Sequence, residues 1–259
     1  MKVSFLQYDI VWGDTAANVR RVGELLSRAP SADLYVLPEM WSTGFTMQPE
    51  LHAEAESGAA LEWMKDFAAA TGSAVAGSIA VRDGGKFFNR FHFVKPDGTV
   101  ASYDKHHLFT YSGEDRHYEA GGRRVTVEWK GVRFRLAVCY DLRFPSWCRN
   151  CGDYDVLLCV ASWPDRRSDA WKALLRARAI ENQCYVLGVN RSGSDPSCHY
   201  TGDSAFIDAY GHTLAECPAG QEAFGSGEID LDCLAGFRES FPVLRDADRI
   251  DYGQEIVIG

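Results

Sequence analysis

The chain has 259 residues, a hydrophobic fraction of 46%, a charged fraction of 24% and a formal net charge of −9. This composition excludes a disordered or fibrous chain, and the length allows one large core. The acidic balance argues against nucleic acid or an anionic membrane as partner, since both need a basic face, and an anionic substrate would require a local cation.

Lys2 to Ile10 reads as a strand entered without a signal-peptide pattern, so a cytoplasmic location is expected. Asp14 or Thr15 caps a predicted helix with Val19, Val22, Leu25, Leu26 and Ala29 at helical spacing. Ala32 to Leu37 is a compact apolar strand that stops at Pro38-Glu39. A second amphipathic helix is predicted around Leu61, Met64, Phe67 and Ala68, with Gly72 as its stop. Strands at Ser73 to Val81 and Lys86 to Lys95 join through Asp83-Gly84-Gly85, and Asp97-Gly98 turns the chain into Thr99 to Lys105. A polar loop, residues 110–122, leads to a hairpin of Arg124 to Trp129 and Val132 to Cys139.

Asp155 to Ser162 is a buried strand ending at Trp163-Pro164. Ser168 to Asn182 is a predicted helix with Trp171, Leu174, Leu175 and Ile180 inward, and Cys184 to Asn190 returns as a strand. Ser204 to Asp208 pairs with His212 to Glu216, Glu228 to Leu231 is a short strand, and a helix follows near Leu234 to Glu239. The tail, residues 242–259, shows no period. No run is apolar for long enough to span a bilayer. Strands alternating with helices, without repeat or linker, predict one α/β domain over residues 1–259.

Three of these strands end on a polar residue. The run Arg133 to Val138 turns apolar, reaches Cys139 and breaks at Asp141 and Pro145 into a turn and short helix. Cys139 is therefore expected on the last residue of a strand, facing a helix N-terminus that favours a thiolate and an oxyanion beside it. The plainer alternative is one more buried free cysteine. Glu39 and Lys105 occupy equivalent strand ends, and in α/β sheets such ends converge on ligands. Glu39 would accept the Cys139 proton, donate it to a leaving amine and later activate water, with desolvation raising its pKa. A nearby base and cation would raise the reactive thiolate fraction. Lys105 and the Tyr140 N–H would form the oxyanion hole, each such donor typically worth ~3–4 kcal/mol of barrier. Taken singly, a Glu such as Glu39 after Pro at a strand end is usually a solvated loop carboxylate, and a Lys such as Lys105 there is usually a surface charge.

The eight cysteines are scattered, as expected of reduced thiols. Cys148-x-x-Cys151 alone has redox or zinc spacing, and with no second pair beside it a metal is not expected.

Several motifs together resemble the nitrilase superfamily of carbon–nitrogen hydrolases, and its ω-amidase branch in particular. They are Leu37-Pro38-Glu39-Met40, the stretch Tyr103 to Phe109, and the stretch Val138 to Pro145. Further similarity lies at Trp163-Pro164, Arg178 to Asn182, Asn190 to Gly193 and Gly202 to Ser204. The resemblance implies a four-layer αββα sandwich, Glu-Lys-Cys catalysis by Glu39, Lys105 and Cys139, and no metal or organic cofactor. It also implies a homodimer, for which the helix bearing Arg178 and Glu181 and the tail at 242–259 are the expected interface. A second glutamate from the loop after the lysine is implied as well. Glu114 is the better match, and Glu119 reads as a solvated carboxylate.

The branch's substrates imply a small-molecule amide carrying a carboxylate, such as 2-oxoglutaramate or 2-oxosuccinamate. Arg143, four positions past Cys139, could grip that carboxylate through paired hydrogen bonds; the alternative is a salt bridge to Asp141 or Asp155. Tyr140, Trp163, Tyr111, Phe109 and Met40 are candidates for the pocket wall. The rival readings are a hydrolase of N-carbamoyl compounds, larger amides or nitriles, a non-enzymatic scaffold, and a zinc or redox protein using Cys148 and Cys151.

Overall fold

The computed structural model describes residues 1–248, 250 and 255–259. Two seven-stranded sheets lie face to face with helices on both outer sides. In the first sheet the order is Ala223–Glu228, Lys2–Gln7, Leu34–Val36, Ala74–Asp83, Lys86–Val94 and Val100–Asp104, with Glu54–Ala55 beside Ala74–Asp83. In the second it is Thr213–Glu216, Ala205–Ile207, Tyr185–Asn190, Val156–Ala161, Val132–Val138, Arg124–Trp129 and Glu255–Ile258. Each sheet has a parallel centre with antiparallel neighbours.

The pleat explains why the central strands are apolar on both faces. Leu34, Val36, Val156, Leu158 and Val160 meet in the seam between the sheets. Tyr35 and Leu37 face outward onto helices Thr15–Leu26 and Ala59–Thr71, while Leu157, Cys159 and Ala161 face helix Ser168–Asn182. These layers make the αββα sandwich. Among the described residues no helix is long and apolar enough to cross a membrane.

The capping signals hold: Asp14 accepts from the Ala17 N–H (2.9 Å), and Gly72 closes its helix at φ 67°. Elsewhere the sequence reading needs correction. The last strand of the first sheet is Ala223–Glu228, not 228–231, and the helix after it is Leu231–Ser240, capped by Asp230. Glycines hid that strand, and they are there for close approach: a Cβ on Gly225 would lie 1.9 Å from the Phe5 ring, and one on Gly227 would lie 2.3 Å from Phe206. Ile180 is exposed, not inward. The inward line of its helix runs Trp171, Leu175, Arg178 and Asn182, because both polar members find buried partners. Arg178 donates to the Leu142 carbonyl (2.6 Å), and Asn182 accepts from the Asn150 N–H (2.9 Å). Arg178 is thus an internal residue of that helix. Strand Glu255–Ile258 pairs with Arg124–Val127 of the same chain; the tail at 249 and 251–254, expected at an interface, lies outside the described residues.

Candidate active site

Cys139 sits where a strand must stop. The strand ends at Val138, one residue earlier than expected, and Cys139 takes the left-handed φ of 46° that opens a single 3-10 turn, Cys139–Arg143. So short a turn carries little macrodipole, and the expected support from a helix N-terminus is largely missing. Buried Asp141 pins the turn, accepting from the Val138 N–H (2.9 Å), the Tyr103 hydroxyl (2.7 Å) and the His107 N–H (2.9 Å). The loop after Lys105 and the turn bearing Cys139 are thereby locked together.

Glu39, Lys105 and Glu114 are all fully buried. Lys105 Nζ donates to Glu39 Oε1 (3.0 Å) and Glu114 Oε2 (2.9 Å). Glu39 Oε2 accepts from the Ser162 N–H (2.7 Å), and Glu114 Oε2 from the Phe109 N–H (2.6 Å). Glu119 instead lies at the surface beside Lys86 (3.5 Å). Asn89, which the sequence reading passed over, spans the two carboxylates: its Nδ2 donates to Glu39 Oε1 (2.7 Å) and Glu114 Oε1 (3.3 Å). A signal for it existed. The hairpin through Asp97-Gly98 pairs Arg90 with Asp104, so the next rung sets Asn89 against Lys105, whose N–H donates to the Asn89 carbonyl (3.0 Å).

Burial opposes the Lys105 charge, yet the carboxylates of Glu114 and Glu39 outweigh it and hold the ammonium's pKa well above its usual value. Burial raises Glu114, with Lys105 opposing and Glu39 adding to the rise. The Cys139 thiol is also pushed well up, first by burial and then by the Glu39 carboxylate, with Lys105 offsetting only part. Burial and Glu39 thus oppose the thiolate that a neighbouring base and cation were expected to favour. One ammonium faces two carboxylates, so the cluster has no positive charge to spare for a sulfur anion.

Gly121 closes the loop over the lysine: its N–H donates to the Lys105 carbonyl (2.9 Å), and an added Cβ would stand 2.1 Å from the Asp104 carbonyl oxygen. Gly121→Ala is expected to cost about 1–3 kcal/mol of stability, as overpacking does, and to lower amide turnover by displacing Lys105. Gly122→Ala, with nothing within 4 Å of its Cβ, should leave urea midpoint and turnover unchanged.

Above the cluster is a cavity of about 170 Å³. Cys139, Tyr140, Arg143, Trp163, Tyr111 and Phe109 all line it, joined by Phe45, Ser162 and Tyr200. Met40 does not; it is packed with Ala80 and Tyr118, because its φ of 44° turns the side chain into the core. Tyr111 is 79% exposed and marks the mouth. Phe45 lies over Lys105, 5.1 Å from its ring centroid to Nζ, and belongs to a turn-rich segment with no period to betray it. The Arg143 guanidinium lies over Trp163 (5.1 Å to the centroid). Neither carboxylate proposed as its partner is free: Asp141 is held as above, and Asp155 pairs with Arg133 and Arg238 (2.8 and 2.9 Å).

Cys148 is buried and donates to the Asp141 carbonyl (3.4 Å), whereas Cys151 is exposed. Among the described residues no group of three metal-ligating side chains gathers.

Residues 2–239 match the family described as carbon–nitrogen hydrolase. The chain belongs to that family. As a carbon–nitrogen hydrolase it is 45% identical over 249 residues to an omega-amidase, YafV, of Escherichia coli K12, covering 96% of this chain and 97% of that one. It is 38% identical over 251 residues to a 2-oxoglutaramate amidase of Bacillus subtilis, covering 94% and 96%. Among solved structures it is similar to a CN-hydrolase superfamily protein of Xanthomonas campestris that carries an arsenic adduct in its active site. That likeness has a TM-score of 0.94 and 42% identity, covering 98% of this chain and 99% of the other. The hydrolase acts on carbon–nitrogen bonds of amides other than peptides.

Proposed function

We propose that this carbon–nitrogen hydrolase is an ω-amidase that releases ammonia from short ω-amido acids such as 2-oxoglutaramate through a Cys139 thioester. The observation that carries the substrate class is Arg143: a guanidinium lining the cavity of Cys139, with no carboxylate of the described residues paired to it. Likeness to omega-amidases and a 2-oxoglutaramate amidase over nearly the whole chain supports the same reading.

Because the thiol rests neutral, its proton passes to Glu39 as sulfur attacks the amide carbon. Lys105 Nζ donates to Glu39 Oε1 and to both Glu114 oxygens, and a donor turned from the forked Glu114 contact, with the Tyr140 N–H, meets the developing oxyanion. Glu39 then protonates the departing nitrogen, which leaves as ammonia, and takes a proton from the water that cleaves the thioester. Glu114 holds Lys105, and Asn89 fixes both carboxylates.

The test is ammonia release from 2-oxoglutaramate, an N-carbamoyl amino acid and a simple nitrile. The ω-amide should react fastest, and Arg143→Met should lower its kcat/KM by roughly 10- to 100-fold, the loss of a charge-assisted pair. Preference for the N-carbamoyl acid would overturn the assignment. The protein is further proposed to be a homodimer: Tyr210 and Phe241 are exposed on either side of Phe237, and exposed Ile180 lies beside Gly211, an apolar surface suited to a second copy. A monomeric mass by light scattering would remove that.

A further inference from the structure

Two further guanidinium groups that the sequence reading did not single out, those of Arg166 and Arg167, line the cavity with Arg143, and that of Arg166 donates to Cys198 Sγ (3.7 Å). Arg167, in the 3-10 turn Asp165–Arg167, lines the same cavity and lies over the Phe109 ring, 5.2 Å from its centroid. Trp163 ties Arg167 and Arg143 together. Its indole N–H donates to the Arg167 carbonyl (2.8 Å), while its ring face carries Arg143. Among the described residues neither Arg143 nor Arg167 is paired with a carboxylate, and the acids nearby are engaged elsewhere. Asp165 is held by His199 (3.2 Å) and the Arg166 N–H (2.6 Å). Asp195 accepts from the Tyr200 hydroxyl (2.6 Å), and Asp203 pairs with Lys172 (2.8 Å).

Three like charges lining one small cavity, with no carboxylate of the described residues paired to Arg143 or Arg167, present a positive wall that an anion complements. We infer that Arg167 and Arg143 form a two-guanidinium clamp, with Trp163 and Phe109 as its backing, that grips the 2-oxo-carboxylate end of the substrate. This rests on the ω-amidase reading and deepens it. A 2-oxo acid offers a carboxylate and an adjacent carbonyl oxygen, acceptors for two planar donors, whereas a plain carboxylate engages one guanidinium fully. Arg167 is therefore a determinant of preference for 2-oxo ω-amides over ω-amido acids without the 2-oxo group, such as succinamate.

The experiment compares wild type, Arg167→Met and Arg167→Lys on 2-oxoglutaramate and on succinamate, with alkylation of Cys139 by neutral iodoacetamide as the control. Substituting the Arg167 side chain leaves its carbonyl, and so the Trp163 bond, in place. Arg167→Met is expected to lower kcat/KM for 2-oxoglutaramate by roughly 10- to 100-fold, mainly through KM, and to narrow its advantage over succinamate. Arg167→Lys should recover part of the loss, because a point charge replaces the fork. Alkylation should change by less than about threefold, since that reagent makes no charge-assisted bond. Equal losses on both acids, or a parallel fall in alkylation, would overturn the clamp, as would full activity of Arg167→Met on 2-oxoglutaramate. Wild-type enzyme inert toward both acids yet active on an N-carbamoyl amino acid would instead remove the reading beneath it.

Discussion

Cys139→Ala should abolish amide hydrolysis, lowering kcat/KM by at least ~10⁴-fold, the scale seen when a covalent nucleophile is removed. The more informative partner is Glu39→Gln. Turnover should collapse there too, because Glu39 is the carboxylate that acts more strongly on the thiol, while Glu114 acts less and is held against Lys105. Simple thiol reactivity should move the other way. The Glu39 carboxylate is, after burial, the strongest influence holding the Cys139 thiol up, so neutralising it lowers that pKa toward the usual cysteine range. The midpoint of iodoacetamide alkylation against pH is expected to fall in Glu39→Gln relative to wild type. Turnover and alkylation changing in opposite directions would separate proton transfer from mere exposure of sulfur. A midpoint that rises, or turnover that survives, would defeat the proposed role of Glu39.

Lys105→Met should be the most destabilising single change in the site. It strips the shared cation from Glu39 and Glu114, which bond it at 3.0 and 2.9 Å. Removing one member of a buried ion pair costs about 3–5 kcal/mol. The variant's stability should depend on pH with a definite sign. Without the ammonium, at least one carboxylate is driven above its unfolded pKa of about 4.3, so the folded variant binds a proton that the unfolded chain does not. Its deficit is greatest at neutral pH and shrinks as pH falls toward 4.3. In the wild type the Lys105 contribution is fully present below the unfolded lysine value of about 10.4 and is lost only above it, as pH rises toward the elevated folded pKa. Urea midpoints for both proteins at pH 5 and 7.5 would show this: a gap that widens on acidification would contradict the shared-cation arrangement.

Local signals placed most of the scaffold. The alternation in Leu34 to Leu37 and Val156 to Ala161 needs only a pleat with both faces covered, and Asp14 and Gly72 act within one turn of their helices. Where the reading failed, distant atoms decided the conformation. Gly225 and Gly227 form a strand because Phe5 and Phe206 fill the space that side chains would occupy. Asn182 and Arg178 displace Ile180 from the inward face because Asn150 and Leu142, in another segment, supply their partners.

The same division runs through the site. The sequence by itself determined which residues could do the chemistry, since Glu39, Lys105 and Cys139 each stand where an apolar strand gives way, and a strand end is a local event. The resemblance to ω-amidases, rather than any local pattern, ranked Glu114 above Glu119 and favoured a substrate carboxylate over a salt bridge for Arg143. Only the tertiary structure decided that Asn89 spans the two carboxylates, that Met40 leaves the cavity, and that Arg167 enters it. It alone set the resting state of the thiol. Charge states in a buried cluster follow from the sum of desolvation and Coulomb terms among groups far apart in the chain, and that sum has no value until the chain has folded.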